Sequence, residues 1–141
     1  GNIKILNDFT EAHKFNKGDI LVTSMTTPDW EPIMKKASAI ITNKGGRTCH
    51  AAIVAREMGV PAVVGTENGT EVLFNGEEMT VSCAEGDQGK VYEGIIPFKL
   101  KKTKLNNLPK TKIPIMLNVA SPDLAFKFAQ IPTAIASSPI Y

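Results

Sequence analysis

An α/β fold is predicted for this chain on three observations. Three short apolar runs rich in β-branched residues, DILVTSM (19–25), SAIIT (38–42) and PAVVG (61–65), are bounded by Gly, Pro, Thr or Asp, as buried strands are. The segments between them, PDWEPIMKKA (28–37) and HAAIVAREMG (50–59), carry apolar residues at helical spacing. With 141 residues, 43% of them hydrophobic and 21% charged, the chain can bury one proper core. Strand alternating with helix implies a layered sheet.

Each element has its own boundary signals. Gly59 followed by Pro61 stops the second helix, whose start is expected at about Cys49 or His50. GEEMTVSCA (76–84) and GKVYEGI (89–95) alternate as strands do, and EGDQG (85–89) between them supplies Gly and Asp for a reversal, so a hairpin is predicted. From Phe98 to Pro109 the composition turns polar and basic, with four Lys and two Asn, which marks a linker. Beyond it IPIMLNV (113–119) reads as a strand and DLAFKFAQ (123–130) as a short helix opened by Pro122 and Asp123 and closed by Ile131 and Pro132. One strand and one helix cannot bury a core, so residues 113–141 are expected to belong to a larger unit. Three parts follow: 1–98, a linker over 99–112, and 113–141.

Composition narrows the function classes. The net charge is +2 and its basic residues are spread out except in KLKKTK (99–104), so no nucleic-acid footprint is predicted. No apolar run approaches the ~18 residues of a membrane span, and no signal-peptide pattern opens the chain. Two cysteines, Cys49 and Cys83, form no disulfide framework and have no metal-like spacing. A cytoplasmic protein is the expectation. Gly1 in place of Met suggests a piece excised from a longer chain.

The chemistry concentrates in NKGGRTCHAAIVAREMGVPAVVG (43–65), which holds one of only two histidines. Gly45 and Gly46 permit a tight turn and a close approach of backbone to a ligand. A His at position 50 then stands at a helix N-terminus, where free N–H groups and the helix dipole favour an anion and a neutral imidazole. A neutral ring has a nitrogen lone pair that can attack phosphorus, and the phosphoryl group gained would lie among backbone donors. Arg47 could add charge-assisted hydrogen bonds to its oxygens. An ordinary turn, with Thr48 as helix cap and His50 as a first-turn residue, accounts for the same residues, and both readings stay open on these grounds. A Cys49–His50 hydrolase dyad is disfavoured because adjacent helical residues do not face each other, and Cys49 is read as a packing residue. A metal site is poorer still: His13 lies in a polar segment, and no carboxylate stands at ligand spacing from His50.

Taken whole, GGRTCHAAIVAREMGVPAVVG (45–65) resembles the phosphohistidine signature of the phosphoenolpyruvate-utilising enzymes. Its Thr-Cys-His triplet and the upstream ILVTSMTTPDWEPIMKKASAIITN (20–43) are similar to the synthase (pyruvate, water dikinase) branch; the pyruvate phosphate dikinase and sugar-phosphotransferase branches usually have Ser where Cys49 stands. The likeness runs through VSCAEGDQGKVYEG (81–94), covering about residues 18–96, and PIMLNVASPDLAFKFAQIP (114–132) is similar to the entry of the family's substrate barrel.

That resemblance implies a swivelling β/β/α phosphohistidine domain, followed by a truncated start of a (β/α)8 barrel. It implies that His50 is the tele-phosphohistidine intermediate, taking the β-phosphoryl of ATP and passing it to pyruvate, with AMP and phosphate as the other products. Arg47, Gly45 and Gly46 would bind the phosphoryl group. ATP and Mg²⁺ would be held outside this chain, on an ATP-grasp domain and on the barrel, with no metal bound by this fragment. Thr48 corresponds to the target of a regulatory kinase and phosphorylase, and a phosphate of about −2 charge two residues from His50 would repel the incoming group. The alternatives are the same carrier domain of a pyruvate phosphate dikinase and, from another class, a non-catalytic docking or regulatory module of the same fold. A complete barrel needs about 250 residues, and TAIASSPIY after Pro132 replaces an expected Gly-rich stretch, so a truncated or altered barrel is expected. With the nucleotide-binding domain expected outside residues 1–141, the chain alone is not expected to turn over ATP and pyruvate.

The remaining polar features have plainer readings. Thr26, Thr27 and Asp29 follow a strand end, where α/β loops often carry function, yet Asp29 reads as a helix cap and Trp30 as a packing residue. Arg56 is read as a surface or salt-bridge residue. EGDQG lacks the acidic repeat of a calcium loop.

Overall fold

The computed structural model describes residues 1–86, 88–99, 115–118 and 134–137. They form two compact units, Gly1–Pro97 and Phe98–Tyr141.

The first unit is built on a four-stranded sheet of β1 (Ile3–Ile5), β2 (Ile20–Thr23), β3 (Ala39–Thr42) and β4 (Ala62–Val64), side by side in that order. All three pairings are parallel, with Ile3 opposite Ile20, Ile20 opposite Ala39 and Ile40 opposite Ala62. Every residue of β2 and β3 is buried, as expected of parallel strands covered on both faces. Alternation along the strands sorts their side chains into two cores. Leu21 and Ile40 face Trp30, Ile33 and Met34 and the helix residues Ala51, Val54 and Ala55. Ile20, Val22, Ala39 and Ile41 face the other way, against Leu73, Met79, Val81 and Val91. The layers are therefore helices, parallel sheet, and a covering hairpin, which is the mixed α/β architecture the alternation predicts.

The covering layer is the antiparallel pair β5 (Met79–Ser82) and β6 (Lys90–Glu93), with Met79 opposite Glu93 and Val81 opposite Val91. Glu85 ties its far end together: it accepts from Lys90, with which it forms an ion pair, and from the Tyr92 hydroxyl at 2.6 Å. The hydrogen bond from Lys90, then that from Tyr92, hold the Glu85 carboxyl below its ordinary value. A carboxylate whose pKa is depressed in the folded state stabilises above its unfolded value, and that contribution is lost as pH falls through the folded one. Following the Glu85 carboxyl carbon by NMR should show the depressed titration, and Lys90→Ala should move it upward; an unchanged midpoint would remove Lys90 as its cause.

Two elements escape the sequence patterns. β1 is only three residues long and carries Lys4, yet Ile3 and Leu6 are buried. Its free edge is occupied by the segment leading into β5, through Ile3 N–H to the Glu77 carbonyl and Gly76 N–H to the Ile3 carbonyl, each 2.8 Å. The turn α3 (Gly69–Val72) is four residues, too short to show a period. The segment expected as one helix over 28–37 is split into a 3-10 turn, Pro28–Trp30, and a single α turn, α1 (Glu31–Met34). Pro32, which has no N–H, is accepted in the first turn of α1 where that donor would be unpaired. The cap position of the 3-10 turn belongs to Thr27, so Asp29 lies inside the turn and is not its cap. Trp30 packs as expected, 5% exposed and edge-on to Phe9 at 6.4 Å.

In the second unit β7 (Ile115–Asn118) pairs in parallel with β8 (Ala134–Ser137), Ile115 opposite Ala134 and Asn118 opposite Ser137. The expectation of a single strand there is corrected: AIAS (134–137) is a second one, masked in the sequence by its Ala and Ser content. The predicted helix over 123–130 and the linker beyond Lys99 lie outside the described residues. Among the described residues no helix is long and apolar enough to cross a membrane.

Candidate functional site

The carboxyl ends of β2 and β3 open onto two loops that the backbone draws together. Asn43 N–H donates to the Thr23 carbonyl (3.1 Å) and Lys44 N–H to the Ser24 carbonyl (2.9 Å), which extends the parallel pairing beyond the strands. The Thr42 hydroxyl donates to the Lys44 carbonyl at 2.8 Å and fixes the bend that follows. Gly45 then adopts a φ of +120°, which L residues rarely reach, and a Cβ on it would stand 2.7 Å from Cys49 Sγ. A Cβ on Gly65, after β4, would stand 2.7 Å from the Gly45 carbonyl oxygen. The turn is thus wedged between the helix start and the neighbouring loop.

Helix α2 (His50–Met58) begins directly after this turn and ends at Gly59 in the left-handed conformation, as the sequence predicts. Its N-cap is Cys49, which makes no side-chain capping bond. Thr48 stands one residue earlier and is exposed, so the reading of Thr48 as helix cap is corrected. Cys49 packs its sulfur against Gly45, in line with a packing role.

His50 is the first helical residue and half-buried. Its Nδ1 lies 3.0 Å from the Thr26 hydroxyl oxygen, and Thr26 is only 6% exposed. Its Nε2 is buried and has no hydrogen-bond partner among the described residues. A buried polar atom without a partner is uncommon and calls for an explanation. A cleft of about 170 Å³ opens here, lined by Met25 and Thr26 from the β2 loop, Lys44 and Gly45 from the β3 loop, and Cys49 and His50 from the helix start.

The other predicted site residues are placed less centrally. Gly46 has neither a positive φ nor any atom within 4 Å of where a Cβ would be. Its backbone is open on that side. Arg47 is exposed and does not line the cleft, and its carbonyl accepts from Arg56 Nη2 at 3.2 Å. Arg56 therefore braces the turn. His13 is remote in sequence and engaged by the Thr10 carbonyl through Nδ1. Among the described residues no group of three or more His, Cys, Asp and Glu is placed to hold a metal ion. Sequence reasoning flagged the Thr26 loop but missed Lys44, whose signal was its place two residues beyond a strand end.

The sequence that builds this site, a helix-initial His beside a glycine turn at the strand ends, is similar to that of known proteins. The chain is similar to the phosphoenolpyruvate synthase of Neisseria meningitidis serogroup B, 55% identical over 133 residues. It is similarly related to those of Aquifex aeolicus (58% over 132 residues) and Escherichia coli K12 (54% over 132 residues). In each case 94% of this chain is covered, but it spans only 15% to 17% of the relative's length. Residues 15–86, which contain the β2 loop, the glycine turn and α2, match the PEP-utilising enzyme mobile domain, and the chain belongs to that family.

Proposed function

We propose that this chain is the phosphoryl-carrier part of a cytoplasmic phosphoenolpyruvate synthase, with His50 as the transient acceptor. One observation carries the reading: Nδ1 of His50, a residue of the cleft wall, is engaged by Thr26 while its buried Nε2 has no partner among the described residues. When Nδ1 carries the proton and donates it to the Thr26 oxygen, the lone pair of the neutral ring is on Nε2. That lone pair attacks phosphorus in the donor. The Nε2–P bond forms as the P–O bond to the leaving group breaks, and the electron pair departs with that oxygen. Transfer onward reverses the pattern: an acceptor oxygen attacks, the P–N bond breaks, and the pair returns to Nε2.

The free N–H groups at the start of α2 and the open backbone at Gly45 and Gly46 favour the phosphoryl oxygens, with Arg47 a further donor at the turn. The donor would be ATP, giving up its β-phosphoryl on an ATP-grasp domain with Mg²⁺. The acceptor would be pyruvate on a barrel of which residues 113–141 would be the incomplete N-terminal part. Thr48, exposed beside the acceptor, fits a regulatory phosphorylation site for a kinase and phosphorylase: an added phosphate there would oppose the incoming charge.

The test mixes this chain with a separately expressed ATP-grasp domain, Mg²⁺ and ATP, followed by ³¹P NMR and intact mass. One acid-labile phosphoramidate per chain is expected. No phosphate from a donor shown to be active would instead favour a docking module that never carries phosphoryl groups. Thr26→Val tests the ring's orientation. Losing one such hydrogen bond costs about 1 kcal/mol, so phosphorylation should slow by up to about tenfold while Thr26→Ser retains the rate. Equal rates for Val and Ser would show that the hydroxyl does not set the tautomer.

A further inference from the structure

The cleft at His50 has a cationic residue on its wall other than the arginine of the glycine turn. Lys44 lines it together with Met25, Thr26 and Gly45, whereas Arg47 does not. Both backbone groups of Lys44 are fixed: its N–H donates to the Ser24 carbonyl and its carbonyl accepts from Thr42. Its Cα is thereby held at the junction of the two loops. The side chain is exposed and makes no ion pair among the described residues. The other lining residues, Met25, Thr26, Gly45, Cys49, His50 and Ala51, include no second Lys or Arg, and the Thr26 hydroxyl is already engaged with His50. A phosphoryl group on Nε2 would bring about two negative charges into a space where the lining residues supply one cation.

We propose that Lys44 is the charge-positioning residue of this site, drawing a phosphate dianion to Nε2 and holding the phosphoryl group once it is bonded there. The proposal rests on the reading of His50 as phosphoacceptor. An ammonium on a flexible stem suits the task, because it is a compact point charge that can follow phosphorus as it moves from donor to ring. Arg47 would then add its donors at the turn, from outside the wall of the cleft.

The test uses the complete chain and phosphoramidate, a small anionic donor, so that no partner domain contributes cations. In that reaction the Nε2–P bond forms as the donor's P–N bond breaks, and ammonia leaves with the electron pair and a proton. The initial rate of acid-labile phosphate formation is compared at low and high salt for the wild type, Lys44→Gln, Lys44→Arg, Arg47→Gln and His50→Ala. Losing a charge-assisted contact should slow Lys44→Gln by about tenfold. It should also flatten the fall in rate with salt, because that fall reports screening of the cation. Lys44→Arg should restore both, and Arg47→Gln should change the salt dependence less than Lys44→Gln does.

A Lys44→Gln chain phosphorylated on His50 at the wild-type rate and salt dependence would overturn the proposal and leave His50 as the acceptor. Phosphate on His50→Ala as on the wild type, or on neither, would overturn the acceptor reading and this proposal together. Slowing by Lys44→Gln without a change in salt dependence would also overturn it, since a merely structural loss would act that way.

Discussion

A chain with Ala in place of His50 is expected to acquire no acid-labile phosphate from an active donor domain while keeping its fold. The loss should be complete, because nothing near the ring can substitute. Cys49 is turned toward Gly45, and His13 belongs to another segment and is engaged by the Thr10 carbonyl. A phosphate that appeared on Thr48 would be an ester stable to acid, which distinguishes regulation from carriage. Stability should fall only modestly. The ring makes one side-chain hydrogen bond, to Thr26, and its removal leaves that buried hydroxyl without its partner, at a cost of about 1–3 kcal/mol. Adding Thr26→Val to His50→Ala should recover most of that cost, since no polar group is then orphaned. Denaturant unfolding of the single and double variants reads the stability, and intact mass before and after acid reads the phosphate. Undiminished acid-labile phosphate on His50→Ala would place the acceptor elsewhere.

Much of the site was legible because its chemistry is local in the chain. Gly45, Arg47, Cys49 and His50 fall within six residues, and Gly59 marks the helix end by its φ of +69°. Strands β2, β3 and β4 were legible for a different reason. Burial on both faces makes β2 and β3 continuous apolar runs, and the half-buried β4 carries the same apolar, β-branched-rich pattern in Ala62, Val63 and Val64. What sequence could not show is what depends on register. The bond between Thr26 and His50 spans 24 positions and exists because β2 and β3 end level, Thr23 opposite Thr42. The same register places Lys44 on the cleft wall and leaves Arg47 off it, although Arg47 is closer to His50 along the chain. β1 was illegible because three residues show no period and its stability comes from two neighbours, β2 on one side and the Glu77 segment on the other. The helix over 28–37 was overextended because spacing alone ignores the missing N–H of Pro32.

Gly45→Ala is expected to be among the most destabilising single-methyl changes in the chain, and Gly46→Ala, one residue on, nearly silent in stability. At Gly45 two penalties combine. A φ of +120° forces an L residue into a sparsely populated region, at roughly 1–3 kcal/mol. The new methyl would also stand 2.7 Å from Cys49 Sγ and 3.1 Å from Cys49 Cβ, an overpacking of about 1–3 kcal/mol. Together about 2–4 kcal/mol should be lost, allowing for relaxation of the sulfur. Cys49→Ala on the same background removes the sulfur but leaves the β-carbon and the dihedral, so it should return only part of the loss. Full recovery would mean that the dihedral carries no strain, and no loss at all would mean that the turn is not the rigid wedge described. At Gly46 the methyl meets nothing and no left-handed φ is needed, so urea midpoints should match the wild type within about 0.5 kcal/mol. Phosphorylation then becomes the informative reading. Gly46→Ala that folds normally but accepts phosphate slowly would show that this backbone is kept bare for the phosphoryl group, while normal uptake would assign the shaping of the turn to Gly45 alone.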